Sequence, residues 1–214
     1  LLRFPYKNNT IQVISLHIVY LSKKVLFPHC TITVKLKRSR FLYTLKPGDK
    51  VIVYPVKKIT DFILMRGVAT LAEIVKSELS SNKYTFTFKG IKRVTIDKRH
   101  GIFQCSFTEI HEQAIVTNEI TEQIRKKSQE LIFLINVNES DKLIHLLNFI
   151  SDAVQLSDFI ANYFILDYDK RVMLLNNCDV ASRIDVILAL LNDLINNVKK
   201  KREKESYEKE NISG

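Results

Sequence analysis

The sequence predicts an α+β protein in which a small barrel or tightly curled β-sheet is followed by a bundle of α-helices with a long last helix. Apolar and polar residues alternate in short stretches through the first half, and turn residues separate these stretches. From Asn118 onward the apolar residues recur every three or four positions, which is typical of amphipathic helices. Strands first and helices second is the order expected of the α+β class.

The charge distribution changes at the same place as the periodicity. Residues 1–118 contain 20 Lys and Arg against 7 Asp and Glu, whereas residues 119–198 contain 7 against 12. Two structural units with different surfaces are therefore predicted, with a boundary near residues 112–119. The predicted units are a β-rich one over 1–115, a helical one over 116–198 and a charged tail over 199–214.

The first half is predicted to hold six or so short strands. The clearest alternation lies over residues 31–37 and places Ile32, Val34 and Leu36 on one face. A turn is predicted at Pro47-Gly48-Asp49, after one or two helical turns within residues 39–45. The remaining strands are predicted over 14–20, 25–27, 50–56, 68–75, 84–88, 94–96 and 103–110.

Two glycines stand where strands begin or bend. Gly67 opens the strand that begins at Val68, and Gly90 follows a stretch in which alternate aromatic residues share one face. A glycine in a strand marks a bulge or a close approach of another backbone. We therefore predict that Gly67 and Gly90 are required by the backbone and bind no ligand.

The second half is predicted to hold several helices. Asn118 and Ser140 are polar residues that precede helical patterns, so each is a candidate N-cap. Shorter helices are predicted over 157–164 and 169–175. The clearest helix has Asp179 or Ser182 as its cap. Its apolar stripe consists of Ile184, Ile187, Leu188, Leu191, Leu194, Ile195 and Val198. Beyond Lys199 the sequence is compatible with a helix extended by Lys/Glu pairs or with a disordered tail.

The N-terminal region and the cysteines bear on the cellular compartment. An apolar run over residues 11–21 follows two basic residues, as in a signal peptide, but contains polar residues and lacks a small-residue cleavage site, so a buried strand is favoured. No apolar run is long enough to span a membrane. Cys30, Cys105 and Cys178 are widely spaced, which fits free thiols in a reducing compartment. A cytoplasmic protein is predicted.

No pattern for catalysis or cofactor binding is found. The chain has only five glycines, and none forms a phosphate-binding loop. The five histidines show no metal-ligand spacing. Asp167 and Asp169 stand where a helix is predicted to begin, and carboxylates there interact favourably with the helix dipole. We therefore predict no catalytic residue, cofactor or metal, and an undetected hydrolase is the least favoured of three functions considered.

Three stretches of the first half resemble the Lon protease N-terminal domain family. Val25 to His29, with the strand after it, is similar to an apolar strand ending in Phe-Pro in that family. Gly67 to Val75 resembles the family's G-[VT]-x-A-x-I strand, and Phe88 to Val94 resembles its apolar-x-G-x-x-R-[VF] pattern. The order and spacing of the three stretches match the family.

The helical half shows the same resemblance. Leu156 to Ala161 is similar to the family's L-A-D-x-I-A helix, and Val172 to Val180 followed by Arg183 is similar to the run before its long last helix. The resemblance covers about residues 14–198. Residues 17–24 depart from it, because the family usually has a Pro-rich strand and an Arg-Asp pair there.

The resemblance implies a PUA-like curled sheet or pseudo-barrel followed by a helical bundle. It also implies a domain that binds unfolded or degron-bearing protein, without catalysis, as part of a Lon-type ATP-dependent protease or as a free-standing adaptor. Implied partners are such polypeptides, a Lon-type ATPase and protease module, or further copies of the chain.

Aromatic residues in or near turns are the candidates for polypeptide binding. Phe27 and Pro28 are expected at the rim of an apolar groove, because Pro28 ends a strand and faces a loop. The full set of candidates is Phe27, Pro28, Phe41, Tyr43, Tyr54 and Phe62.

Nucleic-acid binding is the alternative function. The first half carries a net charge of +13, and basic residues contact phosphates. PUA-like folds also include RNA-binding proteins. The candidate contacts are Arg38, Arg40, Lys57, Lys58, Lys92, Arg93, Lys98 and Arg99. A solvated basic face is the simpler explanation of the same residues.

Overall fold

The computed structural model describes residues 15–37, 40–58, 67–80, 83–113, 116–135 and 140–212. Six strands precede five α-helices in this part of the chain. The strands are β1 (Ser15–Ser22), β2 (Thr31–Lys37), β3 (Lys50–Val56), β4 (Val68–Ser80), β5 (Lys83–Arg99) and β6 (Gln104–Glu109). A 3-10 helix spans Arg40–Thr44. The helices are α1 (Asn118–Ile135), α2 (Ser140–Phe149), α3 (Ala153–Phe164), α4 (Tyr168–Asn176) and α5 (Val180–Ile212). The predicted α+β class is confirmed.

The strands form one sheet that closes on itself. Its order is β2-β5-β4-β3-β1-β6, and β6 also pairs with β5. Five strands therefore make a small barrel, with β1 and β3 parallel and the other pairs antiparallel. β2 lies outside this ring and pairs with the first half of β5. The barrel interior is filled by residues such as Ile18, Ile52, Leu71 and Val94, all at most 4% exposed.

A second and larger core lies between the sheet and the helices. The outward side chains of the sheet, such as Val53, Ile74 and Phe88, pack in it with Ile160 and Leu191 of the bundle. Tyr84, Phe86 and Phe88 stack along one face of β5 with ring centroids 5.5 and 5.6 Å apart, as their alternation predicted. The helices therefore cover one side of the barrel rather than standing apart from it.

Some predicted elements differ from the structure. Residues 25–27 form a buried loop rather than a strand, because Pro28 and the positive φ of His29 (61°) turn the chain sharply there. The strands predicted over 84–88 and 94–96 are one strand. A bulge was predicted at Gly90, and the register between β4 and β5 shifts there. Ala72 lies opposite Gly90, whereas Leu71 lies opposite Lys92.

Helices α1, α4 and α5 each have a polar side chain that caps the first turn. The hydroxyl oxygen of Thr117, not Asn118, accepts from the backbone N–H of Ile120 at 3.4 Å. Asp167 accepts from Lys170 N–H at 2.9 Å and Asp179 from Ser182 N–H at 3.0 Å. The structural role of Asp167 and the capping role of Asp179 are thus confirmed, and Ser182 is a donor to the cap. α5 extends to Ile212, so the helical alternative for residues 199–212 is correct. None of the described helices combines the length and apolar character that crossing a bilayer requires.

Candidate functional site

The turn Phe27-Pro28-His29-Cys30 is held against the backbone of Gly90. His29 N–H donates to Gly90 O at 3.0 Å, and Gly90 N–H donates to Cys30 O at 2.9 Å. A Cβ atom at Gly90 would lie 2.2 Å from Phe27 O, so no other residue fits without movement of the backbone. The close approach explains why Gly90 is a glycine, in agreement with the prediction.

The same turn is fixed from the side of the helices. The Arg171 guanidinium of α4 donates to Val25 O at 3.0 Å and lies over the Phe27 ring at 5.3 Å from its centroid. Thr70 Oγ1 donates to Leu26 O at 2.6 Å. Gly67 is in a similar position, because its φ is +106° and a Cβ there would lie 2.4 Å from Asn176 Oδ1. Asn176 Oδ1 also accepts from Val68 N–H at 2.9 Å.

A cluster of four charged side chains lies between the sheet and the helices. Arg93 of β5 donates to both carboxylate oxygens of Asp158 in α3, at 2.8 and 2.6 Å, and the two side chains have no exposed surface. Arg93 also donates to Leu175 O at 3.0 Å. The guanidinium of Arg183 in α5 donates to Ser157 Oγ at 3.0 Å.

Glu112 joins the two arginines of this cluster from the segment that links the sheet to α1. Its carboxylate accepts from Arg93 at 2.9 Å and from Arg183 at 2.6 Å. Burial lowers the pKa of Arg93, but Asp158 and Glu112 outweigh burial and hold this pKa above its ordinary value. Burial raises the pKa of Asp158, and the two arginines oppose that rise. Two cations and two anions make the cluster neutral, as a buried group requires.

This ionic cluster is a structural connection rather than a binding site. Its members come from β5, α3, α5 and the linker, so it fixes the helices on the barrel. Arg93 is fully buried and cannot reach a phosphate, so its assignment to a basic nucleic-acid face is wrong. In the sequence, Arg93, Asp158 and Arg183 belong to three separate motifs, and their contact with one another was not predicted. Glu112 belongs to none of these motifs and was not singled out.

An aromatic groove lies in the strand-rich half of the protein and shares no residue with the ionic cluster. We use this name for the depression of about 180 Å³ lined by Val19, Tyr20, Leu36, Lys37, Phe41 and Leu42. Val19 and Tyr20 belong to β1 and Leu36 and Lys37 to β2, so the groove lies between two strands that do not pair with each other. The 3-10 helix supplies Phe41 and Leu42. The groove is smaller than the roughly 300–1,000 Å³ of most small-molecule pockets.

Further aromatic rings extend the groove. Phe41 stacks on Phe103 with centroids 4.4 Å apart, and His17 stacks on the Phe41 ring at 6.0 Å. Tyr43 meets Tyr84 edge to face at 5.4 Å. Tyr43 is 44% exposed and Phe103 is 40% exposed, so these rings present apolar surface to solvent.

Tyr20 secures one wall of the groove. Its hydroxyl donates to Ile102 O at 2.6 Å, and its ring packs edge to face on Tyr54 at 6.5 Å between centroids. Burial raises the pKa of Tyr20, while the Arg99 charge opposes this rise. The phenol therefore remains protonated at neutral pH and keeps its bond to the loop that carries Phe103.

The structure places the predicted binding residues in different environments. Phe27 and Pro28 are buried, and Phe27 has no exposed surface, so their expected position on a rim is wrong. The reason is that the turn after Phe27 folds inward onto Gly90 rather than out to solvent. Phe41 lines the aromatic groove, and Tyr43 belongs to the same 3-10 helix. Tyr54 is 7% exposed and belongs to the barrel interior. Phe62 lies outside the described residues.

Several predicted phosphate contacts are already paired with carboxylates. Lys57 forms an ion pair with Asp169, and Lys92 forms one with Glu109 at 2.7 Å. Lys98 and Arg99 lie near the end of β5. Arg38 and the side chain of Arg40 lie outside what the structure describes.

The sequence did not predict a binding role for three aromatic residues near the groove. Phe103 and Tyr84 were assigned to strands, and His17 was assigned to no site. No local pattern signals them, because Phe41 and Phe103 are 62 positions apart and meet only when β1 pairs with both β3 and β6. Within the described residues, no three His, Cys, Asp or Glu side chains converge as a metal site requires.

The described residues thus form a barrel with an aromatic groove, joined to a helical bundle by buried charges. A family model described as the ATP-dependent protease La (LON) substrate-binding domain matches residues 15–193. The chain belongs to this family, whose description is that of a binding domain. A search among curated protein sequences gives no match.

Solved structures agree on the fold. The N-terminal domain of the Mycobacterium avium complex Lon protease superimposes with a TM-score of 0.67 at 17% identity, covering 84% of this chain and 99% of that one. A Lon N-terminal domain protein from Xanthomonas campestris gives a TM-score of 0.58 at 15% identity, covering 83% and 98%. Both similarities concern the fold alone, and the family resemblance found in the sequence is confirmed by the family model.

Proposed function

We propose that this chain binds unfolded or degron-bearing polypeptide through the aromatic groove and presents it for ATP-dependent proteolysis, directly or as an adaptor. The observation that carries the proposal is the stack of the half-buried Phe41 and His17 with the partly exposed Phe103 at the groove. Exposed aromatic surface of this kind is typical of interaction sites, because ordering two-torsion side chains costs little entropy.

The dimensions of the groove favour a polymer over a small ligand. A depression of about 180 Å³ holds one apolar side chain, and the neighbouring exposed rings offer contacts for the residues on either side. Unfolded chains differ from folded proteins in exposing such side chains. Apolar contacts with few fixed hydrogen-bond partners also tolerate many sequences, as a quality-control substrate site requires.

The nucleic-acid alternative has less support. Of its eight candidate residues, Arg93 is buried, and Lys57 and Lys92 are paired with carboxylates. Phosphate binding releases counterions and therefore weakens steeply with salt, whereas apolar binding does not. A Lon-type ATPase and protease module, or further copies of this chain, are proposed as the assembly partners. A cytoplasmic location belongs to the same proposal, supported by three free thiols.

The test measures binding of a fluorescein-labelled, reduced and carboxymethylated lactalbumin to the full chain by anisotropy across a salt series. Phe41→Ala and Tyr43→Ala should each weaken binding by about tenfold, the loss expected of a well-packed aromatic contact. Phe149→Ala is the matched control, since this residue is 82% exposed on α2. Binding that is unchanged in both groove variants, or lost only in the control, would refute the proposal.

The same variants are measured against a single-stranded RNA of mixed sequence. We expect weak RNA binding at low salt that disappears at physiological salt. Tight RNA binding at physiological salt together with no binding of the unfolded protein would favour the nucleic-acid alternative. We also expect that the isolated chain hydrolyses neither ATP nor peptides.

A further inference from the structure

We infer that the occupant of the aromatic groove is an extended polypeptide that adds to the sheet as a new strand along β2, with apolar and acidic residues in alternation. The inference rests on the proposed function and specifies how the polypeptide is held. Its starting point is the position of β2 at the edge of the sheet. Among the described strands, β2 pairs with β5 alone, and it shares the groove with β1 without pairing to it.

The register shows which backbone groups of β2 point away from β5. Gly90 N–H donates to Cys30 O, and the ladder continues from Thr31 opposite Lys89 to Lys37 opposite Lys83. Bonded pairs recur at every second residue of an antiparallel ladder. The backbone groups of Ile32, Val34 and Leu36 are therefore bonded to β5. Those of Thr31, Thr33 and Lys35 point to the open edge, and all three residues are exposed.

Side chains of an added strand would alternate between two different surfaces. The inner face of β2 carries Val34, which is buried, and Leu36, which lines the groove. Inward side chains of the added strand would therefore meet the groove and its aromatic rings. Apolar residues suit these positions, because their burial is the main favourable contribution available there.

The outer face of the sheet at β2 is basic. Lys35 and Lys37 lie on β2, and Lys83 and Lys89 lie beside them on β5. None of the four makes an ion pair with a carboxylate in the described part of the chain. Lys37 stands directly opposite Lys83, an arrangement of like charges that destabilises a sheet. The carboxylates of this face lie on β4, with Glu73 opposite Lys89 and Glu78 opposite Thr85, so β5 separates both from Lys35 and Lys37 of β2.

An acidic residue at each outward position of an added strand would relieve this repulsion. Main-chain hydrogen bonds then provide affinity that does not depend on sequence, and the two faces provide selection for alternating residues. The chemistry that the edge recognises is thus an extended segment with acidic side chains on one face and apolar ones on the other.

The experiment uses a short fluorescein-labelled peptide of alternating Leu and Glu, and the full 214-residue chain. Two derivatives carry backbone N-methyl groups, one at every Glu and the other at every Leu. Only one of these sets directs its N–H groups at β2. We expect that one derivative loses binding by at least about tenfold while the other keeps it, because one set of hydrogen bonds is lost. Loss at Glu indicates an antiparallel strand, and loss at Leu a parallel one.

Charge is tested with Lys37→Glu and the matched control Lys200→Glu, an exposed residue of α5. Lys37→Glu should weaken the Leu/Glu peptide about tenfold and strengthen a Leu/Lys peptide, while the control changes neither. Lysines on edge strands also serve to discourage strand addition. If that were their role here, neither peptide would bind, although the unfolded lactalbumin would.

The outcomes separate the inference from the proposed function. Equal binding of both N-methylated derivatives, with the lactalbumin still lost in Phe41→Ala, overturns strand addition and leaves the groove as the binding site. Loss of binding in both derivatives also overturns it. Lactalbumin binding that is insensitive to Phe41→Ala and Tyr43→Ala rejects the proposed function itself.

Discussion

The ionic cluster and the aromatic groove differ in nearly every physical respect, although both join distant parts of the chain. The cluster of Arg93, Glu112, Asp158 and Arg183 is buried, polar and fixed by short hydrogen bonds. The groove is apolar, shallow and partly exposed. Three of the four cluster residues belong to the stretches that resemble the Lon family, whereas the groove residues Phe41, Tyr43 and Phe103 lie outside those stretches. The family pattern therefore includes most of the residues that hold the domain together, whereas Phe41, Tyr43 and Phe103 of the proposed binding site lie outside it.

The largest expected effect is on stability, from Asp158→Asn. The substitution removes the carboxylate charge that faces the two buried arginines, so it should lower the free energy of unfolding by about 3–5 kcal/mol. Asp169→Asn is the control, because its ion pair with Lys57 is exposed and contributes about 1 kcal/mol or less. Urea unfolding followed by circular dichroism measures both. Equal losses in the two variants would contradict a structural role for the ionic cluster.

A smaller loss is expected from Gly90→Ala. The added methyl group would overlap Phe27 O, so the turn or the strand must move, at a cost of about 1–3 kcal/mol. Gly101→Ala is a useful comparison, because φ is +77° there but no atom lies within 4 Å, so only the backbone conformation contributes, at about 1 kcal/mol. Thermal unfolding should rank Gly90→Ala as the less stable variant. The reverse order would mean that the approach to Phe27 is easily relaxed.

Groove residues should separate binding from stability. Tyr43→Ala and Phe103→Ala should lower the free energy of unfolding by about 1–2 kcal/mol, since the two side chains are 44% and 40% exposed. Phe27→Ala, at a fully buried ring, should cost about 3–5 kcal/mol. Unfolding and lactalbumin binding are measured on the same samples. If a groove variant lost binding only in proportion to the fraction of its molecules that are unfolded, the groove residues would have a structural role like that of the buried residues.

The smallest effects concern the thiols. Burial raises the pKa of Cys30 to about 12, and burial followed by the Asp97 charge raises that of Cys105 to about 11. Both should resist iodoacetamide in the folded protein, and the half-buried Cys178 should react first, as peptide mass mapping would show.

The buried Cys30 thiol should also make stability depend on pH in the alkaline range. Because an unfolded Cys30 ionises near pH 9, its contribution to stability is present below that pH and is lost as the pH rises toward about 12. Cys30→Ala should reduce this alkaline loss of stability, and an unchanged pH profile would contradict it.

The sequence was informative wherever periodicity or a local cap determines structure. The strand over residues 31–37, the shared face of Tyr84, Phe86 and Phe88, and the cap at Asp179 depend on neighbours along the chain, and each was predicted correctly. Phe27 was placed on the surface because proline ends a strand, but the direction in which the chain turns depends on Gly90, 63 positions away.

The site was predicted less well for the same reason. Phe41 and Tyr43 were selected as aromatic residues near a turn, whereas Phe103 joins them only through the closure of the barrel. Charge alone was also misleading, since Arg93 counts toward a basic surface in the sequence and is buried in the fold. The proposed division into units at residues 115 and 116 follows the change from strands to helices, and separate expression of the two parts would test it.

The ionic cluster also has a consequence for the order of folding. Two of its ion pairs join residues 65 and 71 positions apart in the chain, Arg93 with Asp158 and Glu112 with Arg183. Contacts at such separations form only after barrel and helices have come together, and until then each charge remains hydrated. We therefore expect the cluster to form after the transition state, so that Asp158→Asn accelerates unfolding far more than it slows refolding. The buried charges would then slow unfolding much more than they affect refolding. They would therefore determine how long a folded molecule persists rather than how fast it forms.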